Sequence, residues 1–101
     1  MGTLDDVEIK VTDHPEESRY EAYVDGELAG FAKYRRRPDA VEFVHTEVAE
    51  GYAGKGVGTA LAKGALDAVQ ESGEKIIPTC PFIAEYVARH PEYQNMVIER
   101  H

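Results

Sequence analysis

The chain has 101 residues, of which 43% are hydrophobic and 30% are charged, and its net charge is −8 at pH 7. This composition indicates one globular domain over residues 1–101, and it excludes a disordered chain. The acidic balance argues against nucleic-acid binding, because no basic face is present to neutralise a phosphate backbone. No apolar stretch approaches the length of a membrane span.

The first half of the chain is predicted to form antiparallel strands. Residues 7–11 alternate apolar and polar side chains, as a half-buried strand does. Residues 20–24 and 28–34 flank Asp25-Gly26, a strong hairpin signal. Residues 39–48 are rich in β-branched and aromatic side chains on both faces. This strand is therefore predicted to lie inside the sheet rather than at an edge.

From about Gly54 the apolar period changes to that of a helix. Apolar residues recur at helical spacing from Val57 to Val69, and Ser72-Gly73 supplies a stop signal. A short buried strand at residues 75–78 and a second helix from Pro81 to about Pro91 follow. The order predicts an α/β fold with a mixed, mainly antiparallel sheet flanked by two helices.

The segment between the fourth strand and the first helix, residues 51–58, is called the glycine loop below. Gly54, Gly56 and Gly58 alternate with other residues just before the helical period begins. Glycine accepts positive φ and lets a ligand approach the backbone. Backbone N–H groups can therefore converge at a helix start, where anions bind. The sequence predicts a phosphate-binding loop.

Two common phosphate motifs do not fit this loop. A P-loop needs Gly-Lys-Ser/Thr at its end, but Val57-Gly58 follows Gly56. The dinucleotide fingerprint needs a third small residue, and Thr59 or Leu61 stands at that position. The chain is also too short for a full doubly wound nucleotide domain.

The loop instead resembles the pyrophosphate-binding signature of the GCN5-related N-acetyltransferase (GNAT) superfamily, Gln/Arg-x-x-Gly-x-Gly/Ala. Gly56 and Gly58 match this signature, whereas Ala53 stands where Gln or Arg is expected, and Lys55 could compensate in part as a flexible charge. Together with residues 45–48 (HTEV), 77–82 (IPTCPF) and 90–93 (HPEY), the loop resembles a compact GNAT-related family. Its members have about this length and lack the first two helices of larger relatives.

This resemblance implies acetyl-CoA as the donor and an amine as the acceptor, such as a lysine of a basic protein or a polyamine. The pyrophosphate would rest on the loop, and the pantetheine arm would contact the backbone of Thr46 and Val48. The predicted cofactor-binding positions of the loop and the helix start are Ala53, Gly54, Lys55, Gly56, Val57, Gly58 and Thr59.

Cys80, His45 and Glu47 are the catalytic candidates. Cys80 precedes Pro81 at the start of the second predicted helix, a position that favours a nucleophilic thiolate. It either carries the acetyl group covalently or packs beside the thioester. His45 and Glu47 are predicted to share a strand face with Val41 and Phe43, where either could accept a proton from the amine. The structural alternatives are that His45 is a hydrogen-bonded core residue and that Glu47 is a solvated carboxylate at the strand end.

For several other side chains, a structural role is at least as good an explanation as a functional one. Tyr86 is predicted to be a core residue first and a proton donor second, and His90 and Tyr93 are explained equally well by packing at a helix end. The cluster at residues 35–37 is either a solvated loop or an anion contact. His14 and His101 have no partner at metal-ligand spacing, so no metal is expected.

Three functional hypotheses follow. The first is an N-acetyltransferase; the second is an acyl-CoA-binding module without efficient catalysis, which the residue at position 53 favours. The third, a structural or interaction domain, leaves the glycine loop and Cys80 without a role. The single cysteine and the absence of a signal-peptide pattern predict a cytoplasmic protein. Both a monomer and a homodimer are compatible with the sequence.

Overall fold

The computed structural model describes residues 8–98, which form a five-stranded sheet and two α-helices. The strands are β1 (Ile9–His14), β2 (Arg19–Val24), β3 (Glu27–Arg36), β4 (Val41–Val48) and β5 (Ile76–Pro78). The helices are α1 (Val57–Glu71) and α2 (Pro81–Arg89), and 3-10 turns cover Pro15–Glu17, Glu50–Tyr52 and Pro91–Met96. Strand order follows the chain, with β1 to β4 antiparallel and β5 parallel to β4. The predicted mixed sheet with two helices is confirmed.

The turns form where local residue chemistry predicts them. Asp25 and Gly26 have φ of 50° and 83°, as a two-residue hairpin turn requires. The Ser72 hydroxyl donates to the Val69 carbonyl at the end of α1, and Gly73 follows with φ of 81°. α2 begins with a proline, whose missing N–H is not needed in the first turn. Residue 7 of the first predicted strand lies outside the described residues.

A β-bulge interrupts β4. Lys33 of β3 pairs with His45, yet the next β3 residue, Tyr34, pairs with Phe43. Val44 is therefore the extra residue on β4, and the alternation of its side chains shifts by one position there.

This bulge corrects one sequence-based prediction. Val41 and Phe43 are fully buried on the core side, whereas His45 and Glu47 are exposed. His45 pairs with Lys33 of β3, and Glu47 pairs with Phe31, all on the face away from the core. Thr46 lies on the core side instead. The prediction that His45 and Glu47 share a face with Val41 and Phe43 is wrong, because a strand pattern read at period two cannot anticipate an inserted residue.

A single core joins the sheet to both helices. α1 packs across β1 to β4, and α2 packs on β4, β5 and the turn at Pro91–Met96. The largest fully buried side chains include Phe43, Leu61, Leu66, Ile76 and Ile83. α1 approaches β1 closely at Gly64, where an added Cβ would lie 2.9 Å from the Cβ of Val11.

β4 has strand partners on both sides for only part of its length. Its ladder with β5 covers Val41 to Phe43, whereas its ladder with β3 continues to Val48. The Cys80 N–H closes the shorter ladder by donating to the Phe43 carbonyl at 2.8 Å. β5 ends at Pro78, which cannot donate to a further ladder bond. β4 is thus internal, as predicted, but residues 44–48 have no strand partner on the β5 side within the described part of the chain.

Candidate functional site

The glycine loop owes its shape to glycines with different roles. Gly54 and Gly56 have φ of 79° and 83°, a left-handed conformation that residues with a Cβ adopt at a cost. Gly58 instead leaves room for a neighbour, because a Cβ there would lie 2.9 Å from the ring of Phe82. Gly51 has neither constraint. Gly56 is also the N-cap of α1, so the loop delivers the first helical N–H groups to the site.

We call the cavity between Val48 at the end of β4, the glycine loop and Phe82 of α2 the cleft. Its volume beside the glycine loop is about 330 Å³. Its wall is formed by Val48, Tyr52, Ala53, Gly54, Gly56, Val57, Gly58, Thr59 and Phe82. Most of the predicted cofactor-binding positions therefore surround one cavity, at the start of α1 where the helix dipole favours an anion. Lys55 is exposed on the same loop.

Cys80 contacts Thr46 of β4, just past the end of the ladder with β5. The Cys80 thiol is only 4% exposed, and its sulfur lies 3.4 Å from the Thr46 hydroxyl. Cys80 is the N-cap of α2 and its side chain makes no capping bond. The sequence-based prediction used only the backbone of Thr46; its side-chain contact depends on the β4 bulge, for which the sequence carries no clear signal.

His45 and Glu47 lie across the strand from this thiol. The His45 Nε2 donates to the Glu47 carboxylate at 3.1 Å, and both side chains are more than half exposed. The His45 ring also lies near Phe31, with centroids 6.1 Å apart. The structure therefore pairs His45 with Glu47, but it does not bring either of them to the core-side position of Cys80.

Three basic residues that could supply positive charge to a phosphate, Arg36, Arg37 and Lys63, are engaged elsewhere. Arg36 binds Glu74 at 2.7 Å and Arg37 binds Glu42 at 2.8 Å, which ties the turn after β3 to neighbouring segments. Lys63 binds Asp67 one helical turn away, at 2.9 Å. These contacts favour the solvated-loop interpretation of the arginine cluster.

The aromatic residues near the end of α2 form a packed group. Tyr86 is 9% exposed and stacks on His90 with ring centroids 3.9 Å apart. Burial raises the pKa of Tyr86, which makes it a weaker proton donor. Burial, and then the hydrogen bond to Asp67, also raises the pKa of Tyr93. Packing thus accounts for Tyr93, while Tyr86 and His90 line a second depression, between α1 and α2.

Residues 8–98 contain no helix with both the length and the apolar character needed to cross a membrane. They also contain no group of three or more His, Cys, Asp or Glu side chains arranged to hold a metal ion. His101 lies outside this range.

Comparisons with known proteins agree with this geometry. The model of a family described as GCN5-related N-acetyl-transferase matches residues 19–96. Protein NATD1 from Homo sapiens, Mus musculus and Gallus gallus is 45% identical over 51 residues, half of this chain. The chain spans about half the length of these curated relatives, 45% or 46%.

Solved structures share the fold. A GCN5-like protein from Staphylococcus aureus aligns with a TM-score of 0.67 and 21% identity, over 91% of this chain and 90% of its own. The ribosomal-protein-alanine N-acetyltransferase of Brucella melitensis aligns with a TM-score of 0.58 and 24% identity, over 82% of this chain and 62% of its own. At these identities the likeness concerns the fold alone.

Proposed function

The chain belongs to the GCN5-related N-acetyltransferase family, and we propose that it transfers the acetyl group of acetyl-CoA to an amine. One observation carries this proposal: the β4 edge that has no β5 partner runs from the contact with Cys80 to the glycine loop, which lines a cavity at the start of α1. The loop lies beyond Val48, the edge spans residues 44–48, and Cys80 sits beside Phe43 and Thr46.

Each part of this arrangement suits one part of acetyl-CoA. The pyrophosphate would accept hydrogen bonds from the loop amides at the start of α1. The pantetheine arm contains amides and would pair with the β4 edge as an added strand does. Its thioester would then reach Thr46 and Cys80. Among the described residues, no β5 residue beyond Pro78 occupies that edge.

The chemical step requires a neutral amine beside the thioester. The amine nitrogen attacks the acetyl carbon, the carbon–sulfur bond breaks, and CoA leaves as a thiolate that takes up a proton. The amine loses one proton to a base. Because β4 has no β5 partner past Phe43, His45 and Glu47 on its outer face are our candidates for receiving this proton, directly or through water.

The acceptor we propose is a cationic amine, either a lysine of a basic protein or a polyamine. A net charge of −8 attracts such molecules over long range. The chain works in the cytoplasm in this proposal, where acetyl-CoA is available.

A second candidate function is acyl-CoA binding without efficient turnover. Ala53 is exposed, adopts an extended conformation, and has no side-chain donor for the pyrophosphate. The separation of His45 and Glu47 from the Cys80 side favours the same alternative. Turnover distinguishes the two functions, because both require acetyl-CoA to bind.

The test combines calorimetry with an assay of CoA release. We expect acetyl-CoA to bind at sub-millimolar concentration and a lysine peptide or spermidine to release CoA. Gly56→Ala should weaken binding about tenfold, because the strained loop would misplace at least one charge-assisted N–H bond. Gly51→Ala is the matched control: a Cβ meets nothing within 4 Å at either position, but Gly51 does not have the positive φ of Gly56, so this variant should leave binding unchanged.

No acetyl-CoA binding would refute both candidate functions. Binding without CoA release on a broad amine panel would support the binding module instead. An equal loss of acetyl-CoA affinity in Gly56→Ala and Gly51→Ala would show that the left-handed conformation of Gly56 does not shape the phosphate-binding loop.

A further inference from the structure

The turn between β5 and α2 carries Cys80 and is short. β5 ends at Pro78 and α2 begins at Pro81, so Thr79 and Cys80 are the residues between them. The Cys80 N–H donates to the carbonyl of Phe43, where the pairing of β4 with β5 also ends. The place of this turn relative to β4 therefore determines how far the start of α2 stands from the unpaired edge of β4.

Thr79 joins this turn to β4 on the face away from the core. Its hydroxyl donates to a carboxylate oxygen of Glu42 at 2.6 Å. Glu42 lies between two fully buried residues of β4, so its side chain projects from the opposite face of the sheet. The Cys80 side chain instead contacts Thr46 on the core side. Consecutive residues of the turn thus contact β4 on its two faces.

Arg37, which follows β3, completes the contact with Glu42. Its Nε and one terminal nitrogen lie 2.9 Å and 2.8 Å from one oxygen of the Glu42 carboxylate, and Thr79 donates to the other oxygen. The Glu42 side chain is only 12% exposed. The bond from Thr79, and then that from Arg37, lowers the pKa of Glu42. The carboxylate is therefore charged at neutral pH and accepts strong, charge-assisted bonds from both partners.

This contact differs from an ordinary surface ion pair in what it connects. Pairs such as Lys63 with Asp67 join neighbouring turns of one helix, and such pairs contribute little to stability. The Glu42 carboxylate instead connects the turn after β3, the middle of β4 and the turn before α2. A change at any of these three places is passed to the turn that carries Cys80.

From these contacts we infer that Arg37, Glu42 and Thr79 form a clamp that fixes the turn before α2 against β4 and so sets the position of the thioester beside Cys80. None of the three lines the cleft, and they act through the backbone of the turn, as positioning residues. One arginine of the cluster at residues 35–37 thereby has a role other than contact with a phosphate. The inference rests on the proposed acetyl transfer.

The first test is alkylation of Cys80 by iodoacetamide, which measures how often the turn opens. Cys80 is the single cysteine of the chain and is 4% exposed, so its thiol reacts when the turn moves away. Thr79→Val keeps the shape of the side chain but removes its bond to the carboxylate. We expect alkylation to become about tenfold faster, the effect of one hydrogen bond to a charged group.

The dependence of this rate on urea separates a local role from a general loss of stability. Opening of one turn exposes little surface, so the faster rate should stay constant at low urea concentration. Thr79→Ser restores the hydroxyl and should return the rate to that of the wild type. Thr12→Val is the matched control, because it removes a threonine hydroxyl that lies 3.0 Å from His14 on β1, and it should leave the rate unchanged.

The second test is steady-state kinetics of the same variants. Thr79→Val should lower kcat roughly tenfold, because a misplaced thioester reacts more slowly. The KM for acetyl-CoA should not change, since the glycine loop still binds the pyrophosphate. Thr79→Ser should recover kcat, and Thr12→Val should keep it.

Three results would overturn the inference. The first is an alkylation rate in Thr79→Val equal to that of the wild type. The second is a rate that rises steeply with urea, which would assign the effect to global unfolding. The third is faster alkylation with an unchanged kcat, which would show that the clamp holds the turn without serving the reaction. Absence of acetyl-CoA binding by the wild type is a separate result, in which the proposed function fails and this inference fails with it.

Discussion

Cys80 lies at the start of α2 and beside the unpaired edge of β4. Its side chain is almost fully buried and contacts Thr46. A residue in this position can shape the thioester site without becoming acetylated. The two roles differ in whether a Cys80–acetyl bond forms while CoA leaves, and they can be separated by experiment.

We expect Cys80 to position the thioester rather than carry the acetyl group. Cys80→Ser should retain turnover within about tenfold, and mass spectrometry after incubation with acetyl-CoA should find no acetyl group on the peptide that contains Cys80. Cys80→Ala should also cost about 1 kcal/mol of unfolding free energy for the lost packing. An acetylated peptide together with complete loss of turnover in Cys80→Ser would establish the covalent route.

Glu21 is the buried charged residue of the described part of the chain, with 3% of its surface exposed. Its carboxylate accepts hydrogen bonds from Tyr23 and Arg19 and lies 3.1 Å from His14. The bond from Tyr23, and then that from Arg19, holds the pKa of Glu21 below its ordinary value. A carboxylate with a lowered pKa stabilises the fold above its unfolded pKa, and this contribution disappears as the pH falls through the folded pKa.

Glu21→Gln should therefore lower the unfolding free energy at pH 7 by about 1–3 kcal/mol. The gap between variant and wild type should shrink as the pH falls below about 4. Urea unfolding followed by circular dichroism at several pH values measures both. Glu71→Gln removes the same charge from an exposed site at the end of α1 and should change stability by less than about 0.5 kcal/mol. A gap that is independent of pH would contradict the charge-based explanation.

At the scale of elements, the pairing of β4 determines which side chains reach the site and where its edge is unpaired. Its bulge at Val44 shifts Thr46 to the core side and His45 to the outer face. Its short ladder with β5 leaves the edge that borders the cleft. Both features concern how β4 pairs with its neighbours, so they follow from the sheet as a whole and not from the composition of the strand.

The contact between α1 and β1 gives a prediction at this scale. Gly64→Ala improves helix propensity by about 1 kcal/mol, but its Cβ would collide with Val11, and overpacking costs about 1–3 kcal/mol. We expect a net loss of stability. In the double variant with Val11→Ala, the loss should be smaller than the sum of the two single losses, because the methyl groups no longer compete for the same space. Additive losses in urea unfolding would place the strain elsewhere.

The whole molecule is acidic while its proposed cofactor site must bind an anion. The glycine loop meets this requirement with backbone N–H groups, which attract phosphate without adding to the net charge. The remaining surface is then free to attract a cationic acceptor. Arg36, Arg37 and Lys63 each pair with a carboxylate, so these basic side chains leave the surface negatively charged as a whole.

The acidic surface predicts that salt changes the binding of the cationic acceptor. Between roughly 50 mM and 500 mM salt, screening shortens the range of surface charges to a few ångströms. The KM for spermidine should rise several-fold, while kcat should change little because the step at the thioester is local. A monoamine, with fewer charges, should show a weaker dependence. An equal rise for both acceptors, or a fall in kcat, would argue against electrostatic attraction by the whole surface.

Features set by neighbouring residues could be predicted from the sequence. The Asp25-Gly26 hairpin, the end of α1 at Ser72-Gly73 and the start of α2 at Pro81 depend on local backbone preferences, and all are present. The position of the glycine loop between β4 and α1 could be predicted for the same reason. Closely spaced glycines allow the left-handed conformation, which interrupts a strand or a helix.

The face that each β4 side chain occupies could not be predicted, because it depends on the register between β3 and β4. One inserted residue moved His45 and Glu47 away from Phe43 and brought Thr46 to Cys80, a contact between positions far apart in the chain. The depression between α1 and α2 likewise exists only because the two helices pack side by side, with the ring of Phe82 against Gly58. Local preferences thus determine which elements form and where they end, whereas pairing and packing between distant elements determine which side chains meet at the site.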